Sequence, residues 1–85
     1  MIIYKYNLGL CTEQVVPIKR NAKILSIQFQ GGQICLWALV DEKEIDEEII
    51  ILIYGTGQQT DDNLNLQYIT TLQDGAYVWH FFKKE

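Results

Sequence analysis

Apolar and polar positions alternate with period two along most of the chain, which predicts strands rather than helices. In "IIYKYNL" (2–8), Tyr4, Tyr6 and Leu8 fall on one face and Lys5 and Asn7 on the other. Gly9 and the polar pair Thr12-Glu13 end this run. "QVVPI" (14–18) is β-branched, but Pro17 has no N–H for a ladder, so the segment reads as an edge strand or a strand end. After a polar turn, "KRNA" (19–22), comes "KILSIQFQGGQICLWALVD" (23–41), a hairpin around Gly31-Gly32. With those glycines as the loop, Phe29 opposes Ile34, Ile27 opposes Leu36 and Leu25 opposes Ala38 on a wholly apolar face. The other face pairs Gln28 with Cys35, Ser26 with Trp37 and Ile24 with Leu39, and is mixed.

"DEKEIDEE" (41–48) is a charge run with Ile45 as its one apolar residue, long enough for a helical turn at most. "IIILIY" (49–54) is apolar on both faces, the mark of a central strand covered on both sides. "GTGQQTDDNLN" (55–65) is a loop by its glycine, aspartate and asparagine content. "LQYITTLQDGAYVWHFF" (66–82) is a second hairpin, with Asp74-Gly75 as its loop. That register sets Leu72 against Tyr77, Thr70 against Trp79 and Tyr68 against Phe81 on one face. On the other it sets Thr71 against Val78 and Ile69 against His80. No segment has helical period. The expectation is an all-β fold, a small antiparallel barrel or sandwich of about seven strands with hairpins at 23–40 and 66–82, forming one domain over residues 1–85.

Composition narrows the function more than it names it. With 48% hydrophobic and 21% charged residues in 85, the chain is built to fold. A domain of this size buries only about 60–65% of its unfolded surface, so its stability is expected to be marginal or helped by self-association. A formal net charge of −4 disfavours direct nucleic-acid binding, which needs basic patches against phosphate. Cys11 and Cys35 have no ligand spacing and there is one histidine, so no metal site and no cofactor are expected. No apolar run approaches the roughly 18 residues of a membrane span. "MIIYKYNLGL" lacks the apolar core and cleavage pattern of a secretory signal, so the expected location is cytoplasmic.

Candidate chemistry is sparse. "GTG" (55–57) follows a buried strand, as phosphate loops do, but the GxGxxG pattern is incomplete and Asp61 and Asp62 follow. It reads as a turn whose N–H groups, with the Thr56 and Thr60 hydroxyls, suit a small polar ligand. His80 has only Ile69 across from it in the expected register, with no nucleophile or carboxylate in reach, so an enzyme is not expected. Two tryptophans, five tyrosines and three phenylalanines exceed what so small a core hides, and the surplus calls for a ligand or a partner. Among the basic residues Lys19, Arg20, Lys23, Lys83 and Lys84, Arg20 is the first choice for a phosphate. The acidic run 41–48 is either a solvated loop or a mimic of phosphate spacing.

"AKILSIQFQGGQICLWALVD" (22–41), "YGTG" (54–57) and "NLQYITTLQDGAYVWHFF" (65–82) resemble an uncharacterised family of short phage- and prophage-encoded proteins. "ICLWALVD" and "VWHFF" are the most specific parts, while Lys19-Arg20-Asn21 and Thr70 depart from the pattern. The family has no assigned activity, so the resemblance carries over no catalytic residue; it implies a phage context. In that context the expectation is a non-catalytic homo-oligomeric module that sequesters a host nucleotide immune signal in the host cytoplasm. Trp37, Tyr77, Trp79 and His80 would meet the base, and Arg20 with Gly55, Thr56 and Gly57 the phosphate. The other reading is an inhibitor or accessory protein that blocks a host enzyme through residues 41–48. Neither involves a membrane.

Overall fold

A computed structural model describes residues 1–85. The seven strands are β1 (Ile2–Leu8), β2 (Glu13–Lys19), β3 (Lys23–Gln30), β4 (Gln33–Val40), β5 (Asp46–Gly55), β6 (Leu66–Asp74) and β7 (Tyr77–Lys84). All pairings are antiparallel, in a three-stranded sheet of order β1-β4-β3 and a four-stranded sheet of order β2-β5-β7-β6. The sheets face each other without closing into a barrel, so the architecture is a sandwich. No helix is long and apolar enough to cross a membrane.

Alternation decides which side chains enter. On β4, Ile34, Leu36, Ala38 and Val40 point inward; on β5, Ile49, Ile51 and Ile53 do. Leu8, Val16, Ile18, Ile27, Leu72 and Phe81 complete the layer. Phe81 is the one ring in this layer, and it is fully buried. The outer face of β5 is also apolar, as its sequence demands, but no second layer covers it. Leu52 and Tyr54 are buried by the sheet's own rings. Phe82 lies edge-on to Tyr54 at 5.9 Å and to Tyr68 at 5.7 Å.

The first hairpin turns on Gly31 and Gly32, both at positive φ, in the expected register as far as Ser26–Trp37. There a bulge intervenes. Leu25 is pushed outward, 45% exposed, and Ile24 rather than Leu25 opposes Ala38, while Lys23 takes the place opposite Leu39. The bulge keeps both Ile24 and Ile27 on the core side, which strict alternation cannot do. In the second hairpin the loop residues are Gly75 and Ala76, and Asp74 pairs with Tyr77. Gly75 leads the turn at φ 58°, the place where II′ turns take glycine. The register therefore slips by two from the sequence reading. Leu72 opposes Trp79, Thr71 opposes His80 and Thr70 opposes Phe81, before a second bulge at Ile69 lets Tyr68 oppose Phe82. Residues 41–45 form turns, not a helix, and Asp46, Glu47 and Glu48 already belong to β5.

Phe81→Ala empties the centre of the layer and is expected to destabilise the fold by about 3–5 kcal/mol in urea denaturation. Tyr77→Ala, at a ring 64% exposed, is expected to stay within about 0.5 kcal/mol of the parent.

Candidate functional site

One end of the sandwich gathers the β1–β2 loop, both hairpin turns and the exit of β5. Side chains there have no neighbouring strand to close over them. A cleft of about 500 Å³ with mixed polar and apolar walls opens between Leu8, Phe29, Gln33 and Ile34 of one sheet, Leu10 of the β1–β2 loop, and Gln73, Asp74 and Gly75 at the end of β6 in the other sheet. Two further hollows, of about 470 and 310 Å³, share Trp79 as a wall.

Trp79 is held by three things. Gly55 lies opposite it on β5, and a Cβ there would stand 3.3 Å from Cζ3, close enough that the indole would have to give by a few tenths of an ångström. The indole N–H donates to Asp74 Oδ2 at 3.2 Å. The Tyr77 ring stacks on Trp79 with centroids 5.6 Å apart and planes 16° from parallel. Tyr77 itself is 64% exposed, so the stack is open to solvent on its outer side.

The glycine loop is mostly satisfied within the protein. The Gly55 N–H donates to Gln58 Oε1 at 2.9 Å, the Thr56 N–H to the Val78 carbonyl at 3.3 Å, and the Gln58 N–H to the Gly55 carbonyl at 3.1 Å. Gly57, at φ 87°, makes the turn. This is a strand exit tied back on itself rather than a phosphate cradle.

His80 sits on the outer face of the four-stranded sheet, half-buried. Nε2 is 2.8 Å from Thr56 Oγ1 and Nδ1 is 3.0 Å from Thr71 Oγ1, which is in turn 2.8 Å from the Tyr68 hydroxyl. The two-residue slip of the hairpin supplies Thr71 in place of Ile69. Both ring nitrogens are held by hydroxyls, which can donate or accept, so either tautomer fits. Thr56 and His80 are thus a hydroxyl–imidazole pair that the expected register did not contain. No carboxylate orients the ring, as a nucleophile–base–carboxylate arrangement would require.

Five of the expected ligand residues, Gly55, Thr56, Gly57, Tyr77 and Trp79, come together at this end of the molecule. His80 reaches them through Thr56 but faces outward. Trp37 lies on the outer face of the other sheet, opposite Lys5 and Ser26. Two backbone layers about 10 Å apart separate it from His80. Arg20 lies at the far end of β5, its N–H on the Ile45 carbonyl and its Nε 4.0 Å from Glu47. At about 3.3 Å per residue, some 30 Å of strand separates Arg20 from Gly57. One protomer therefore cannot bring Trp37 or Arg20 to a ligand on Trp79. Asp74, Gln58, Leu10 and Phe29 belong to the site and escaped sequence reading. Asp74 carried a signal only as a turn former, and Gln58 carried none.

No group of three or more His, Cys, Asp or Glu side chains is placed to share a metal ion. In the acidic run, four of six carboxylates have partners inside the protein. Asp41 Oδ1 accepts from the Lys43 N–H, Glu42 accepts from the Tyr4 hydroxyl, Asp46 is 3.1 Å from Lys19, and Glu47 faces Arg20. The hydrogen bond to Glu42, then burial, raise the Tyr4 phenol above its ordinary value of 10.0. A raised folded-state value means that the pair's contribution is complete below about pH 10 and is lost as pH climbs through the Tyr4 transition. Glu42→Gln is expected to move the Tyr4 transition to lower pH in an ultraviolet titration. Gly55→Val should displace the indole, seen as a red-shifted emission in a Trp37→Phe background.

No curated protein and no solved structure matches the chain. A model for a domain of unknown function, DUF7352, matches residues 1–85, end to end. The chain belongs to the DUF7352 family.

Proposed function

We propose that this protein is a non-catalytic binding module that takes a planar heterocycle, a nucleobase in our reading, at the open end of the sandwich. The observation that carries the proposal is the Tyr77–Trp79 stack, whose outer ring is 64% exposed and lines, with Trp79, Gly55 and Thr56, a hollow of about 470 Å³. A ring this exposed at the start of a paired strand is a ready stacking platform, and base–aromatic stacking contributes about 1–3 kcal/mol. Asp74 supports the same reading. One of its oxygens takes the indole N–H, and the carboxylate suits an exocyclic amine of the ligand. The same charge repels phosphate, so a bound nucleotide would direct its phosphates away from the cleft.

The resemblance to phage and prophage proteins supplies the biological half of the proposal: sequestration of a host nucleotide signal, in the host cytoplasm, by a homo-oligomer. The alternative, blockade of a host enzyme through residues 41–48, loses ground because most of those carboxylates are already engaged.

Melting curves taken with a panel of bases, nucleosides and nucleotides test the proposal. At least one purine or pyrimidine is expected to raise the melting temperature. Tyr77→Ala should weaken that ligand about 5- to 150-fold, whereas Trp37→Ala should leave it unchanged. A flat panel, or dependence on Trp37 instead, would overturn it.

A further inference from the structure

Sheet edges present unpaired N–H and C=O groups, and proteins blunt them with proline, bulges or charge. This sandwich has four edges: β1 and β3 in one sheet, β2 and β6 in the other. Three are blunted. β2 has Pro17 in mid-strand, opposite Glu48. β3 is bulged between Ile24 and Ser26, and β6 between Tyr68 and Thr70. β1 is not: Ile2 to Leu8 run in unbroken register along β4, with no proline, glycine or bulge.

The one charge on β1 does not guard the edge either. Lys5 reaches back across β4, and its Nζ donates to Gln30 Oε1 at 2.9 Å, at the end of β3. Apolar side chains flank the bare edge, with Ile2 42% and Ile3 57% exposed. On the inner face Tyr4 and Tyr6, 6.3 Å apart, are only half-buried.

We infer that β1 is the contact strand between two copies of this chain, paired antiparallel with itself across a twofold axis. The pairing turns the three-stranded sheet into a six-stranded one. The two inner faces stay continuous only when opposed residues share a face. Centring the axis on Lys5 would set like charges directly opposite, which is destabilising. Centring it on Tyr4 sets Ile2 against the partner's Tyr6, Ile3 against the partner's Lys5, and Tyr4 against its own copy. Aromatic and β-branched pairs then fill the inner face. The strand has no carboxylate and complements itself in this register, which argues for a second copy over an unrelated strand. The inference specifies the self-association expected above but does not depend on the ligand reading.

Sedimentation of the full chain at about 100 µM tests it, with a dimer expected. Ile3→Lys sets a second cationic residue directly across the strand pair from the partner's Lys5 and is expected to weaken the dimer about three- to tenfold at low salt. Ile3→Glu, at the same exposed position, should hold or tighten it, with circular dichroism unchanged in both. A monomer at that concentration, or a dimer indifferent to the sign of the charge at position 3, overturns the inference. Because the ligand test reads melting and this one reads mass, either can fail while the other stands.

Discussion

Two sheets packed face to face leave room for one interdigitated layer of side chains, and everything else in this molecule follows from what fills that layer. Here it is filled almost entirely by branched aliphatics. Ile27, Leu36, Ala38, Val40 and Ile51 are completely hidden, and Phe81 is the one ring among them. Interiors pack to crystal-like density, so a layer already closed by isoleucine, leucine and valine has no volume left for nine further rings. Those rings occupy three other places: the ends of the layer, the lateral margins, and the outer faces of the sheets.

Each place has a different physical consequence. On the outer face of β5, Phe82 lies opposite Leu52 and edge-on to Tyr54, with Tyr68 edge-on to Phe82 in turn, and a central strand gains its second cover without any additional layer. At the margin beside β1, Tyr4 and Tyr6 stay half-covered next to an edge that lacks the proline and bulges of the other three. At the open end, Tyr77 and Trp79 stack over Gly55 with no strand beyond them. The first arrangement is self-contained. The other two leave apolar surface beside unpaired backbone or an open hollow, and they carry the proposals of self-pairing and ligand stacking.

Strand number, fold class and the first hairpin's turn were legible because period two and paired glycines are local signals. The doubly apolar character of 49–54 correctly marked a strand covered on both faces, although the cover comes from its own sheet. What sequence reading missed is non-local. The bulges at Leu25 and Ile69 exist to keep particular side chains on the core side, a demand set by the facing sheet. The second hairpin slipped by two because Asp74-Gly75 reads equally well as a whole loop or as its flank and first residue. That slip decides His80's neighbour, which is Thr71 rather than Ile69. The expected ligand set was assembled by residue type, and type does not report which sheet, face or end a strand position occupies. Hence Tyr77, Trp79 and the 55–57 loop meet, while Trp37 and Arg20 lie elsewhere.

The central claim is that rings excluded from the aliphatic layer form a usable surface at the open end and not on the far sheet. The chain's two tryptophans, one in each place, report on this directly through their indole N–H resonances. In a titration followed by two-dimensional NMR, with whichever base or nucleotide raises the melting temperature, the Trp79 resonance is expected to shift progressively while the Trp37 resonance stays fixed. A shift at Trp37 with Trp79 unmoved would contradict the account.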